Sequence, residues 1–253
     1  MEHSIRAVIF DWAGTTVDYG CFAPVKGFID GYKSIGLDIT LEMARKPMGL
    51  LKMDHTREIA KMLSVPVSEE QILEVYNKFE EILFGNIKDH CDIKDYVLET
   101  VDTLRKQGIS IGSTTGYTSM MMEKVLPLAK KQGYSPDYCI TPDQVTKGRP
   151  YPYMIWKNIM EFGIMNTRSV IKVGDTVADI EEGKNANCWT VGVITGSSEL
   201  GLSREEVSQL DRNDLYKKKA KVRDTYTRAG ADFIIDDMNE LLPVVDEINT
   251  RLM

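Results

Sequence analysis

The sequence predicts an α/β fold: a doubly wound, Rossmann-like parallel sheet with a helical domain inserted after the first strand. Six short apolar runs rich in β-branched residues have the composition of strands, and helix-like sequence separates them from the second run onward. The runs are almost continuously apolar, which is typical of parallel strands covered by helices on both faces. Such strands are joined by right-handed helical crossovers. The predicted strands are residues 5–10, 109–114, 137–140, 169–173, 189–194 and 232–235.

The long interval between the first two predicted strands is helical almost throughout. Residues 23–35 and 51–62 form two amphipathic patterns, and a capping box at Ser68 and Gln71 opens a third helix. This is too much helix for a single crossover. We therefore expect residues 20–91 to form a helical cap, inserted into an α/β core made of residues 1–19 and 92–253. A junction of this kind favours a ligand site.

Composition limits the function classes. The 253 residues carry 31 Lys and Arg against 38 Asp and Glu, a net charge of −7, which argues against non-specific nucleic-acid binding. No apolar stretch is long enough to span a membrane, and the N-terminus shows no secretory pattern. The four cysteines are widely spaced, without a C-x-x-C pair. We expect a cytoplasmic protein of one or two domains.

Chemically active side chains follow several of the predicted strands. In an open α/β sheet, ligands bind beyond the carboxyl ends of the strands, so these residues are expected to meet. Each has an ordinary explanation when taken singly: a capping Asp, a Thr at a helix start, or a surface Arg. Their combination favours a phosphate or metal site. The candidates are Asp11 after the first strand, Thr115 and Gly116 after the second, Arg149 in a proline-rich loop, and Asp175 with Asp179 after the fourth.

This order of motifs resembles the haloacid dehalogenase-like superfamily of phosphoryl-transfer enzymes, including the placement of a helical cap after the first motif. The resemblance implies that Asp11 is a nucleophile that forms an aspartyl-phosphate. It also implies Mg²⁺ bound by Asp11, the backbone carbonyl of Ala13, and Asp175. For the remaining candidates it implies phosphate binding by Thr115, Gly116 and Arg149, and an orienting role for Asp179.

One position departs from the phosphatases of the superfamily, which carry a second Asp two residues after the nucleophile as acid and base. Ala13 stands there and cannot transfer a proton. Either the enzyme has lost most of its activity, or its leaving group is activated in another way. In the cap, Lys52 and His55 share one helix face, and an amine beside a base is what imine formation with an aldehyde needs. An iminium would let the electrons of a breaking carbon–phosphorus bond collapse into an enamine.

Two longer segments resemble the phosphonatase family within this superfamily. They are Asp-Trp-Ala-Gly-Thr-Thr-Val-Asp-Tyr-Gly-Cys from Asp11 and Arg-Lys-Pro-Met-Gly-Leu-Leu-Lys from Arg45, and Gly-Ser-Thr-Thr-Gly-Tyr-Thr and Gly-Arg-Pro-Tyr-Pro extend the similarity. The resemblance implies hydrolysis of phosphonoacetaldehyde to acetaldehyde and phosphate, in the degradation of 2-aminoethylphosphonate. It implies a homodimer through the cap helices. It also implies Lys52 as the Schiff-base lysine, His55 as its proton-transfer partner, and a pocket lined by Met48, Cys21 and Tyr117.

Other functions stay open at this point. One is a phosphomonoester phosphatase or a sugar-phosphate mutase, and Ala13 argues against both. Another is a binding or regulatory module in which Asp11 accepts a phosphoryl group and holds it, because loss of the acid and base would suit slow turnover. Asp175, Arg149 and Lys52 favour an enzyme that turns over. A monomer that buries the apolar cap face against its own helices is the alternative to a dimer.

Overall fold

The computed structural model describes residues 4–253 and contains a six-stranded sheet in the order β3-β2-β1-β4-β5-β6, with every pair parallel. The predicted parallel fold and its strands are confirmed, with ends that differ by one or two residues. The first strand lies at the centre, so the strand order reverses there and a crevice opens at the carboxyl ends. The strands are β1 (Ala7–Phe10), β2 (Ser110–Thr114), β3 (Tyr138–Ile140), β4 (Val170–Gly174), β5 (Trp189–Val193) and β6 (Phe233–Ile235).

The helices cover the sheet and fill the interval between β1 and β2. The predicted helices over 23–35 and 51–62 are present, and Ser68 and Gln71 form the predicted capping box. The helices are α1 (Ala23–Ser34), α2 (Leu41–Arg45), α3 (Lys52–Met62), α4 (Glu69–Asn86), α5 (Val97–Lys106), α6 (Ser119–Lys131), α7 (Tyr153–Glu161), α8 (Val177–Asn185), α9 (Arg204–Gln209), α10 (Arg212–Ala229) and α11 (Leu241–Leu252).

Helices α1–α4 all fall within the proposed cap, residues 20–91. The division of the chain into that cap and a core of residues 1–19 and 92–253 stays a prediction. Met1, Glu2 and His3, on which the expectation of no secretory signal partly rests, lie outside the described residues. Within residues 4–253, no helix combines the length and the hydropathy that crossing a bilayer requires.

The central strand shows how the sheet is buried. All four residues of β1 are inaccessible to solvent. Val8 and Phe10 point to one face, into a cluster that includes side chains of α5, α6 and α11, whereas Ala7 and Ile9 point to the other face, where α7 packs. Successive strand residues face opposite sides, so an uninterrupted apolar run is needed when helices cover both.

An aromatic stack holds three of the helices between β1 and β2 together. The ring of Phe28 on α1 lies between the imidazole of His55 on α3, with centroids 3.9 Å apart, and the ring of Phe79 on α4, with centroids 4.2 Å apart. All three side chains are buried. Stacked rings of this kind add to the free energy gained by burying their apolar surface.

We expect Phe28→Ala to lower the free energy of unfolding by about 3–5 kcal/mol, because the change leaves a cavity between two rings. Urea denaturation followed by circular dichroism measures the loss. Met160→Ala on α7 is the control, since Met160 is 64% exposed and lies outside the proposed cap, and its change should stay within about 0.5 kcal/mol. Equal losses in the two variants would contradict the central position of Phe28.

Candidate active site

The carboxyl ends of β1, β2 and β4 meet the start of α3 around a small cavity of about 20 Å³. Nearly all the side chains that line it are buried, so a substrate enters only if its walls move apart. Most of the predicted site residues line this cavity, although they come from segments far apart in the chain. Asp179 and His55 are the predicted site residues that do not line it. The lining residues are Asp11, Ala13, Cys21, Met48, Gly49, Lys52, Thr115, Gly116, Tyr117, Arg149, Asp175 and Thr176.

The turn after β1 holds the candidate nucleophile in place through its backbone. The amide of Asp11 still donates to the Val173 carbonyl of the neighbouring strand, at 2.9 Å. The Thr16 hydroxyl then donates back to the Asp11 carbonyl at 3.0 Å, which closes the turn. The ammonium of Lys94 donates to the carbonyls of Gly14 and Thr195, the latter at 2.9 Å. Bonds from three segments thus fix the backbone that carries Asp11.

Three buried carboxylates crowd together at this end of the sheet. Oxygens of Asp11, Asp175 and Asp179 all lie within 4.8 Å of one another. Burial, followed by repulsion between the carboxylates, raises the pKa of Asp11 and raises that of Asp175 well above its ordinary value. Asp175 is held by neutral donors, the Thr15 hydroxyl at 3.1 Å and the Ser198 amide at 2.7 Å. Carboxylate oxygens that repel one another in this way are suited to binding a hard divalent cation between them.

Asp179 differs from the other two carboxylates because cations surround it. It forms ion pairs with Lys172 at 2.8 Å and Arg149 at 3.0 Å, and it accepts a hydrogen bond from the Thr176 hydroxyl at 2.6 Å. Burial opposes its ionisation, but the attraction of Arg149 and Lys172 outweighs it and lowers the pKa of Asp179. These contacts suit the predicted orienting role better than a place as a metal ligand.

The guanidinium of Arg149 is buried and points at Asp11, the candidate nucleophile. Its Nη1 lies 2.8 Å from Asp11 Oδ1, so the loop arginine of the sequence is not a surface residue. Its Nε donates to Glu182 Oε2 at 2.9 Å, and its Nη2 donates to the Thr114 hydroxyl at 2.8 Å. Partners on both sides fix the plane of the guanidinium, which holds a positive charge where a phosphoryl group would meet Asp11.

Lys52, the first residue of α3, reaches the cavity from the opposite side. The residue is only 3% exposed, and its Nζ lies 3.8 Å from Met48 Sδ and 5.4 Å from the centroid of the Tyr117 ring. Burial lowers the pKa of Lys52. Its position in the first turn of a helix acts in the same direction, because the helix dipole disfavours a cation there. The neutral amine, which is the nucleophilic form, is therefore more populated than it is for a solvated lysine.

His55 lies one turn further along α3, completely buried. Its Nε2 is 2.9 Å from the Ala44 carbonyl, which can only accept, so Nε2 carries the hydrogen and Nδ1 is the basic nitrogen. Nδ1 has no hydrogen-bond partner within residues 4–253. Burial and then the charge of Lys52 hold the pKa of His55 well below its ordinary value. The imidazole is thus neutral, with one unpaired acceptor.

Comparison with known proteins agrees with this arrangement. Residues 8–193 match the family model of haloacid dehalogenase-like hydrolases. The chain belongs to this family. It is 50% identical to a phosphonoacetaldehyde hydrolase of Bacillus cereus (strain B4264), over 98% of this chain and 97% of that protein. The crystal structure of a phosphonoacetaldehyde hydrolase-like protein from Oleispira antarctica has a TM-score of 0.93 at 34% identity, covering 98% of this chain and 94% of that one.

A longer relative carries a second activity. The chain is 48% identical, over 98% of its length, to a bifunctional phosphonoacetaldehyde hydrolase/aminoethylphosphonate transaminase of Clostridioides difficile (strain 630). It spans only 40% of that protein. The haloacid dehalogenase-like chain therefore corresponds to one part of the bifunctional relative.

Three residues that hold this haloacid dehalogenase-like site together are absent from the sequence prediction. Lys172 interrupts the apolar run of β4, a signal that could have found it, and its Nζ donates to the Thr114 hydroxyl at 2.8 Å. Glu182 follows Asp179 by one turn of α8 and is inaccessible to solvent. Lys94 gives no local signal, because its partners lie in remote segments.

Two glycines allow the loop before α3 to pack closely on its surroundings: Gly116 in the loop after β2, and Gly49, which faces Thr176 at the start of α8. A Cβ atom on Gly116 would lie 2.6 Å from the Leu50 carbonyl oxygen, and one on Gly49 would lie 2.5 Å from the Thr176 hydroxyl. Only glycine permits backbones to approach so closely. This contact carries Lys52, two residues after Leu50, into the cavity that contains Asp11.

We expect Gly116→Ala to reduce turnover by about 10²-fold, because the added methyl group pushes the Leu50 carbonyl, and Lys52 with it, away from the site. Steady-state kinetics measure the loss. Gly85→Ala is the matched control: a Cβ there meets nothing within 4 Å, and the change lies in α4. Full activity in the Gly116 variant would show that this close approach is not needed.

Proposed function

We propose that this protein hydrolyses the carbon–phosphorus bond of phosphonoacetaldehyde, giving acetaldehyde and phosphate. The observation that carries the proposal is the buried amine of Lys52 in the same cavity as the Asp11 carboxylate. Phosphonoacetaldehyde carries an aldehyde, which can react with the Lys52 amine, and a phosphonate, whose phosphorus the Asp11 carboxylate can attack. The names of the close relatives support the same substrate.

The first proposed step joins the substrate to Lys52. The amine attacks the aldehyde carbon, water leaves, and a protonated imine forms. The lowered pKa of Lys52 supplies the neutral amine that this attack requires. We propose that His55 exchanges protons with Lys52 through its unpaired Nδ1, and that Cys21, Met48 and Tyr117 surround the carbon chain of the substrate.

The second proposed step breaks the carbon–phosphorus bond. The Asp11 carboxylate attacks phosphorus, and the bonding electrons move into the iminium, which becomes an enamine. Thr115 and Gly116 hold phosphoryl oxygens, and Arg149 offsets their charge. Ala13 has no proton to give, and the enamine route needs none at that position. Protonation of the enamine carbon then produces the imine of acetaldehyde.

Water completes the cycle. One water hydrolyses the aspartyl-phosphate and another hydrolyses the acetaldehyde imine, while one was released when the first imine formed. The net reaction therefore consumes one water and returns both Asp11 and Lys52 unchanged.

We further propose that Mg²⁺ is the divalent cation of this site. Asp11, the Ala13 carbonyl and Asp175 would hold it, and the crowding of Asp11 and Asp175 supports that assignment. When bound, the metal offsets the repulsion between a carboxylate nucleophile and an anionic phosphonate. Asp179 keeps Arg149 and Lys172 in position around it.

The setting of the enzyme is proposed on separate grounds. All four cysteines, each within the described residues, are free, which supports a reducing, cytoplasmic location. Exposed Leu41, Val65 and Leu73 in the proposed cap support a homodimer through its helices. The bifunctional relative joins its hydrolase to an aminoethylphosphonate transaminase, which supports a role in 2-aminoethylphosphonate degradation.

Borohydride reduction tests the imine. With phosphonoacetaldehyde present, we expect mass spectrometry to find a reduced adduct on Lys52, and Lys52→Arg to abolish phosphate release because a guanidinium forms no imine. Lys61→Arg, on the exposed side of the same helix, is the control and should keep full activity. Phosphate release from simple phosphomonoesters but not from phosphonoacetaldehyde would instead indicate a phosphatase.

The pH dependence of trapping follows from the burial of Lys52. Its pKa is lowered, so the neutral amine accumulates as pH rises, and it does so at lower pH than for a solvated lysine. We expect the trapping rate to rise with pH to a midpoint below the ordinary lysine value of about 10.4. Nα-acetyl-lysine in the same buffers is the reference. A midpoint at or above that of the reference would contradict the effect of burial.

A further inference from the structure

Arg45, the first residue of the segment Arg-Lys-Pro-Met-Gly-Leu-Leu-Lys, has no part in the proposed chemistry. It is the last residue of α2, seven positions before Lys52, and its side chain reaches two loops that follow β1 and β5. Its Nη1 donates to two backbone carbonyls, that of Gly20 at 2.8 Å and that of Ser198 at 3.1 Å. Neither carbonyl belongs to α2 or to its neighbouring helices. Arg45 therefore joins α2 to two other segments.

Both carbonyls belong to segments that reach the site directly. The amide of Ser198 donates to Asp175 Oδ2 at 2.7 Å, so the peptide on one side of Ser198 bonds Arg45 and the peptide on the other side bonds Asp175. Gly20 precedes Cys21, which lines the cavity, and its amide donates to the Gly196 carbonyl at 2.8 Å. A single guanidinium thus links α2 to the loop that holds Asp175.

The surroundings of Arg45 fit a reversible contact. The guanidinium lies 4.9 Å from the centroid of the Phe22 ring, and its Nε and Nη2 are buried without a hydrogen-bond partner among the described residues. The charge gives up hydration for two carbonyls and one ring, and although Asp18, Asp175 and Glu206 attract it, burial outweighs them and lowers the pKa of Arg45. The net gain in free energy is therefore small. If α2 moves away, water rehydrates the guanidinium. Opening and closing then differ little in free energy, which is what a lid over a catalytic site requires.

We propose that Arg45 is a positioning residue that couples closure of the α1–α4 segment over the site to the orientation of the Asp175 carboxylate. The proposal rests on the proposed function, in which Asp175 binds the metal and Lys52 arrives with the closing helices. When the cap closes, Arg45 fixes the Ser198 peptide, and that peptide fixes one oxygen of Asp175. Substrate capture and a complete metal site then form together.

The test compares Arg45→Met with Lys46→Met. Met keeps a flexible side chain against Phe22 but removes the donors. Lys46 is the next residue, exposed, and lines the same surface cavity of about 470 Å³ at the edge of α2. We expect R45M to bind Mn²⁺ or Mg²⁺, titrated calorimetrically without substrate, about 10–100-fold more weakly than wild type, and K46M to bind normally.

A second measurement needs neither metal nor turnover. Hydrogen exchange should accelerate at the amides of residues 196–201 in R45M and not in K46M, while the melting temperatures of the two variants stay close. If R45M fails to fold, R45L, which likewise has no donor, gives the same comparison. Wild-type metal affinity together with wild-type exchange in the Arg45 variant would overturn the proposal.

The two proposals fail in different ways. A wild-type enzyme that releases no phosphate from phosphonoacetaldehyde overturns the proposed function, whatever the Arg45 variants do. Unchanged metal affinity and exchange in R45M overturn the role of Arg45, even if the wild type cleaves the substrate. In steady-state kinetics, we expect R45M to lower kcat and to raise the metal concentration needed for half-maximal rate. A purely structural loss would reduce the amount of active enzyme, and so the maximal rate, without changing that metal concentration.

Discussion

The ion pair between Arg149 and Asp11 is the contact on which the site depends. It brings a buried cation within 2.8 Å of Asp11, the proposed nucleophile, and Glu182 and Asp179 hold the guanidinium from other sides. An isolated charge could not remain buried in this place, and neither could an isolated carboxylate. The network lets both be buried, so the phosphoryl group would meet a fixed positive charge in a site with little water.

The lysine of the proposed imine comes from a different part of the chain than this network. Asp11 directly follows β1 and Arg149 lies in the loop before α7, whereas Lys52 begins a helix of the α1–α4 segment. The contact of Gly116 with the Leu50 carbonyl joins the two parts. Under the proposed function this division has a physical advantage: the charges at the strand ends stay fixed, while a movement of the helices would withdraw the amine and admit a substrate.

Much of the fold and part of the site could be predicted from the sequence. The strands were found because continuous apolar runs alternate with helical patterns, and their order in the chain was enough to infer a parallel sheet. Asp11, Thr115 and Asp175 were found because each directly follows a strand, and the ends of parallel strands meet. Glu182 was missed because it looks locally like an ordinary charged residue of a helix. Lys172 gives a local signal, since it interrupts the apolar run of β4, but only the packing of β4 against α8 shows that it pairs with Glu182, the partner of Arg149.

By itself, the sequence determined the alternation of strands and helices, the carboxylates at the strand ends, and the replacement of a proton donor by Ala13. These are local properties, which the spacing and composition of the residues reveal. Only the tertiary structure decided which charges neighbour one another, that Lys52 is buried beside Met48 and Tyr117, and that Arg45 reaches the loop of Asp175. Pairing energies and pKa shifts depend on distance and burial in space, and residues far apart in sequence acquire both only when the chain folds.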